Sequence, residues 1–222
     1  VWRNHDGAIL MVRRRSPRGS GDRLAGEIVD AAIELLIDAG DDSAVSIRSV
    51  AARVGVTPPS IYLHFADKQE LLDAVWSRYF ENIDGVLAAA CENVDDPLER
   101  LVRMGVAYVR FAVGAPALYR LLDARTPRKD HSPKGDELTA SAPFVRLHEA
   151  VSELVGSDPD AGVLEFWAAA HGIASLMICR PDLGWDDDLG HAEHMFTALC
   201  RGMGGRGMSR SSGRRITRDG QE

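Results

Sequence analysis

Thr57, Ser60, Tyr62 and His64 place three hydroxyls and an imidazole within eight residues, and Lys68 follows close behind. Groups of this kind hydrogen-bond to phosphate oxygens and to the edges of base pairs. An ammonium at the start of a following helix adds charge where the helix dipole also favours an anion. A purely structural helical hairpin would more often show a mixture of Glu and Lys on the same face.

Two short helices must position these side chains. Ser46 is a good N-cap, and Ile47, Val50, Ala51 and Val54 recur behind it at helical spacing to form one apolar face. Gly55 sits where the chain leaves that helix and needs a left-handed conformation, and Val56 can pack back against the core. Thr57 is expected to cap a second helix. Pro58 takes its first position and Pro59 still falls in the tolerated first turn, while Ile61 and Phe65, four apart, point inward. A turn of about three residues between two such helices is the spacing of the helix-turn-helix, whose second helix enters the major groove of DNA.

This run resembles the TetR-type transcriptional repressors. The residues that carry the resemblance lie between Gly21 and Val75: a first helix ending in Asp38-Ala39-Gly40, then Ser46-Ile47-Arg48-Ser49-Val50-Ala51, Gly55-Val56-Thr57, Ser60-Ile61-Tyr62-Leu63-His64-Phe65, Lys68 and Leu71-Leu72. The resemblance implies an all-α homodimer. Its N-terminal three-helix domain would bind a palindromic operator and its larger C-terminal domain would hold a small ligand. Position by position, it implies that Thr57, Tyr62 and Lys68 contact phosphates, and that Arg48, Pro58, Pro59, Ser60 and His64 lie at or near base edges. Pro58-Pro59 departs from the commoner pattern, since one proline replaces a residue able to donate a hydrogen bond. Apolar contact with a thymine methyl is what remains for it to contribute.

Composition sets the limits. The 222 residues allow one large or two small domains, and 45% hydrophobic content is enough to build cores. No apolar run is expected to reach the roughly 18 residues of a membrane span, and Val1 to Leu10 lacks the shape of a signal peptide. Three cysteines, Cys91, Cys179 and Cys200, without a C-x-x-C pair, argue against a disulfide framework and a zinc site and fit a reducing cytoplasm. The net charge of −7 is unevenly spread. Basic and acidic residues number 8 and 8 over 1–65, 12 and 23 over 66–200, and 6 and 2 over 201–222. An acidic middle would be repelled by phosphates, so docking falls to the N-terminal segment, with basic ends adding salt-sensitive attraction.

Residues 1–20 are expected to be a disordered basic arm containing Arg13-Arg14-Arg15, with Met11 as the natural start, and 21–67 the DNA-binding domain. Ile28, Ala32, Leu35 and Leu36 give the first helix its buried face. From Lys68, Leu72, Val75, Tyr79, Ile83, Val86 and Ala90 keep helical spacing to about Cys91, a rod on the order of 36 Å with Gly85 as its weak point. Asp95-Asp96-Pro97 starts a further helix, buried through Leu98, Leu101, Val102, Gly105, Val109 and Ala112, and Gly114-Ala115-Pro116 ends it before a short helix to Asp123. The polar stretch 125–136 has no apolar period, and Pro143 to Val155 is helical again. Helices over 160–180 and 188–201 complete a ligand-binding and dimerisation domain, 68–202, followed by a basic tail, 203–222, expected to be disordered. These last two helices fit the pair through which TetR-type subunits associate.

Trp167-Ala-Ala-Ala-His171-Gly172 resembles a Trp-His-Gly signature of one group of TetR-type C-terminal domains. His171 beside Trp167 is a candidate to orient the polar group of a small-molecule effector, with Tyr108, Phe111, Tyr119 and Phe144 as further pocket candidates; aromatics at this spacing are more often plain core. His191, Glu193 and His194 make a poor metal set, and no cofactor is expected. The leading reading is a cytoplasmic homodimeric repressor released from its operator by a ligand, with no catalytic activity and no membrane. Two readings from other classes stay open on the residues alone. One is a helical enzyme using Glu165, His171 or the His191 and His194 pair, although no nucleophile, oxyanion loop or phosphate-cradling glycine run supports it. The other is an interaction module whose helix-turn-helix does not touch DNA.

Overall fold

The computed structural model describes residues 20–39, 45–123, 141–156, 158–185 and 189–212. Every regular element among them is helical: α1 (Ser20–Ala39), α2 (Ile47–Val54), α3 (Pro58–Tyr62), α4 (Lys68–Ala90), α5 (Pro97–Gly114), α6 (Pro116–Asp123), α7 (Ala142–Val155), α8 (Pro159–Cys179), a 3-10 turn (Pro181–Leu183) and α9 (Gly190–Ser212). The chain divides into two compact units. One takes the described residues up to Gly85 together with Phe111 to the end of α6; the other takes Val86–Arg110 and everything described from α7 onward. The basic run in 11–18 and the polar stretch 125–136 lie outside the described residues.

The core of the first unit is built from Ile28, Ala32 and Leu36 of α1, Val45, Val50 and Ala51 around α2, and Ile61 and Phe65 around α3, all buried. Leu35, expected on the same face as Leu36, is only half-buried. In this unit α4 buries Leu71, Val75, Tyr79 and Ile83, every fourth residue. The expected Leu72 and Val86 are half-buried, because the buried line runs one residue to the side of each. Arg78 of α4 reaches Asp30 of α1 at 3.0 Å, and the Tyr79 ring lies 5.1 Å from that of Phe111.

In the second unit α9 packs on α7 and α8. Phe166 of α8 stacks on Phe196 of α9 with ring centroids 5.1 Å apart. Phe196 has no solvent exposure, and a Cβ placed on Gly105 of α5 would lie 2.6 Å from its ring, so glycine is what lets α5 approach α9. The guanidinium of Arg100 on α5 holds both carboxylate oxygens of Glu153 on α7. The start of α5 is as its acids predict: the Asp96 carboxylate accepts from the backbone N–H of Glu99 at 3.1 Å, with Pro97 in the first position.

Two expectations need correction. Helix α8 has 21 residues and is long and apolar enough, by length and composition, to cross a membrane, contrary to the reading that no segment is. Glu165 and His171 interrupt its apolar run, yet the helix as a whole stays apolar enough to pass. Val163, Phe166, Ala170, Ile173, Ala174 and Ile178 of this helix are buried inside the unit. The last helix, expected to stop near Arg201, instead reaches Ser212, past Gly202, Gly204 and Gly205. Each glycine weakens a helix by only about 1 kcal/mol, and no proline follows to end it.

Gly105→Ala is expected to lower stability by about 1–3 kcal/mol, because the buried Phe196 ring has nowhere to move. Gly85→Ala, which meets open space in mid-helix, is expected to raise it by up to about 1 kcal/mol. Thermal and urea unfolding of the two variants beside the parent chain checks both signs.

Candidate functional site

Helix α2 opens with a reciprocal cap. The backbone N–H of Ser49 donates to the Ser46 hydroxyl at 3.0 Å, and the N–H of Ser46 donates to the Ser49 hydroxyl at 2.9 Å. It ends at Gly55, whose φ of +82° is the left-handed conformation expected there; the N–H groups of Gly55 and Val56 both donate to the Ala51 carbonyl at 2.9 Å. Thr57 stands at the N-cap of α3 but makes no side-chain cap bond. A capping hydroxyl accepts from the second or third N–H of the helix. Pro59 has none to give, and the N–H of Ser60 already donates to the Thr57 carbonyl at 2.9 Å. The Thr57 hydroxyl instead lies 3.0 Å from that of Ser60, so one of the two donates to the other.

Burial fixes which side of α3 faces out. Ile61 has no exposure and Phe65 is 7% exposed, whereas Tyr62 is 55% and Leu63 83% exposed. Pro59 is also exposed, and Pro58, Ser60 and His64 are half-buried. The structure therefore brings Thr57, Pro59, Ser60, Tyr62 and His64 onto one short turn of chain, with Arg48 exposed on α2. Leu63 was not singled out from the sequence. Counting helical rotation outward from Ile61 would have found it.

The charges nearby are more committed than the sequence suggests. Arg53 of α2 is held by Glu34 at 3.2 Å and Asp38 at 2.9 Å, both on α1, and hydrogen bonds to Asp38 and then Glu34 raise its pKa above the usual guanidinium value. At the start of α4, Glu70 accepts from the N–H of Ala66 at 2.6 Å and Asp67 accepts from the N–H of Glu70 at 2.9 Å. Two carboxylates thus occupy the positive end of that helix dipole. Lys68 can meet a phosphate with its ammonium, but the dipole expected to help it is already answered.

Four of the six effector candidates gather in the second unit. The Tyr108 hydroxyl lies 3.3 and 3.1 Å from Nδ1 and Nε2 of His171, the Trp167 ring meets His171 edge-on at 5.2 Å, and Phe144 meets Trp167 edge-on at 5.9 Å. Phe111 and Tyr119 belong instead to the buried core of the first unit. Among the described residues no three His, Cys, Asp or Glu side chains are grouped to hold a metal ion. Burial raises the Cys91 thiol pKa, with Arg146, Arg100 and Arg103 pulling the other way, and pushes the Cys200 thiol up to about 12.

A capped helix, a glycine turn and a second short helix that turns Tyr62 and its neighbours outward from a three-helix core define a helix-turn-helix DNA-binding transcriptional regulator. The model of "Bacterial regulatory proteins, tetR family" matches residues 28–75, and that of "Tetracyclin repressor-like, C-terminal domain" matches 101–203. The HTH-type transcriptional repressor Rv3405c of Mycobacterium tuberculosis H37Rv is 31% identical over 169 residues, covering 66% of this chain and 87% of its own length. The HTH-type transcriptional activator FasR of Mycolicibacterium smegmatis is 32% identical over 109 residues, 49% of each chain, so the match spans about half of that relative. A solved structure from Rhodococcus sp. RHA1, described as a protein of unknown function, superimposes with a TM-score of 0.71 at 23% identity, over 86% of this chain and all of that one. The chain belongs to the TetR family.

With its thiol at about 12 and its side chain without exposure, Cys200 is essentially all neutral at pH 8. In a chain carrying Cys91→Ser and Cys179→Ser it should be silent to Ellman's reagent in the native protein and react on unfolding in guanidinium; rapid native reaction would show that the second unit opens there.

Proposed function

We propose that the protein binds a palindromic operator as a homodimer, represses from it, and is released by a small molecule. The observation that carries this reading is the inward lock of Ile61 and Phe65, which turns Tyr62 and its neighbours outward. Thr57, Tyr62 and Lys68 contact phosphates. Arg48, Pro58, Pro59, Ser60 and His64 lie at or near base edges. Residues 21–67 read the DNA, with the basic arm of 1–20 and the basic tail of 203–222 adding salt-sensitive attraction, and 68–202 binds the effector and the second subunit. The protein works in the cytoplasm and has no catalytic role. Repression is the family expectation; the named relatives include one repressor and one activator.

Subunits pair through α8 and α9. In the single chain α8 exposes Leu164, Ala168, Gly172 and Leu176 at intervals of four, and α9 exposes Met195, Ala198 and Gly202. Leucines interleaved with small residues suit close helix packing by a second copy. The effector site is the chain Tyr108, His171, Trp167 and Phe144: mostly aromatic, with one hydroxyl and one imidazole to orient a polar group. Phe111 and Tyr119 support the fold and are left out of that site. Helix α4, unbroken from Lys68 to Ala90, starts beside the DNA-reading turn and ends in the second unit, which makes it the natural carrier of the effector's influence.

The test is fluorescence anisotropy with a duplex that the purified chain selects from a random-sequence pool. Tyr62→Ala and Lys68→Ala should each weaken binding about ten-fold or more, and Lys68→Ala, which removes one phosphate contact from each subunit, should also make the slope of log affinity against log salt shallower by about two. Full affinity in both variants would refute the contact assignment. Leu176→Arg should sediment as a monomer and lose the operator; an intact dimer would move the interface off α8.

A further inference from the structure

We propose that Leu63, with Pro59 beside it, is a specificity-determining residue: the pair forms an apolar centre to the recognition face and packs on thymine C5-methyl groups. The inference rests on the contact assignment above and extends it to a side chain outside that assignment. Helical residues advance by about 100° each, so Pro59 and Leu63, two positions before and after the buried Ile61, both point about 160° away from it. Ser60 and Tyr62 stand about 100° round, and Pro58 and His64 only about 60°. The burial pattern follows that order: Pro59, Tyr62 and Leu63 are exposed, and Pro58, Ser60 and His64 are half-buried. Leu63 keeps right-handed helical backbone, with φ −72° and ψ −17°, so it continues the turn rather than swinging off it.

The middle of the outward face is therefore aliphatic, and the groups that hydrogen-bond flank it. One exposed leucine on a protein surface calls for no explanation. Its position is what matters, since Leu63 is continuous with Tyr62 and Ser60 and shares its direction with a proline that has no N–H to offer. In the major groove the C5-methyl of thymine is the apolar feature such a surface can recognise, and no donor or acceptor is left unpaired when it does.

The experiment uses the full chain and the selected duplex. Each symmetric pair of thymines is replaced in turn by deoxyuridine, which removes the methyl and nothing else. One such pair should weaken wild-type binding about ten-fold, the effect of exposing two methyl-sized areas together, and should leave the affinity of Leu63→Ala unchanged. The melting temperature of Leu63→Ala should match wild type, because the side chain is exposed. Equal losses in both proteins at every position, or no loss anywhere in wild type, would overturn the proposal. If Tyr62→Ala weakens binding as expected while uracil is neutral, only the methyl reading falls. If no duplex is selected, the contact assignment falls with it.

Discussion

Ile61 has no solvent exposure, and that burial decides the orientation of a helix only five residues long. A segment of this length is not helical by its own propensity, since nucleation is unfavourable and few hydrogen bonds follow it. Its form is imposed from both ends and from beneath. Gly55 turns the chain with a positive φ, the two prolines hold the first turn near helical φ, and Ile61 with Phe65 seals the underside. Burying two such side chains contributes about 1.5–3 kcal/mol each, against about 1 kcal/mol for a typical helix cap. This one rotation sets which side chains of α3 face outward.

The charge pattern around that helix separates recognition from attraction. Arg53 is tied to Glu34 and Asp38, and the start of α4 is capped by Asp67 and Glu70, so these groups brace the three-helix core. Exposed ion pairs of this sort add little stability, yet they take cationic charge out of the interface. With a net charge of −7, such a chain gains less from nonspecific attraction than a basic DNA binder does, and more of its discrimination must come from close fit. An aliphatic centre on the recognition face agrees with that division.

Much of this was legible in the sequence because punctuation residues carry it. Ser46, Gly55, Pro58 and Pro97 each mark a boundary within a residue or two of where the helices begin and end. Faces were harder to read. Leu71 adjoins Leu72 and Leu87 adjoins Val86, so helical spacing allows either line on α4, and tertiary packing chooses the one through Leu71 and Leu87. Phe111 and Tyr119 look like pocket aromatics until the division of the chain places them in the other unit. Thr57 reads as a cap by type and place, and fails to act as one because Pro59 has no N–H and that of Ser60 is already bonded to the Thr57 carbonyl.

Radiolytic footprinting of the protein, free and bound to its selected duplex, tests the orientation of α3 most directly. Tyr62, Leu63 and His64 should lose hydroxyl-radical reactivity in the complex while Tyr108, Trp167 and His171 keep theirs. Unchanged reactivity at Tyr62, Leu63 and His64 in a saturated complex would show that DNA is held by some other surface.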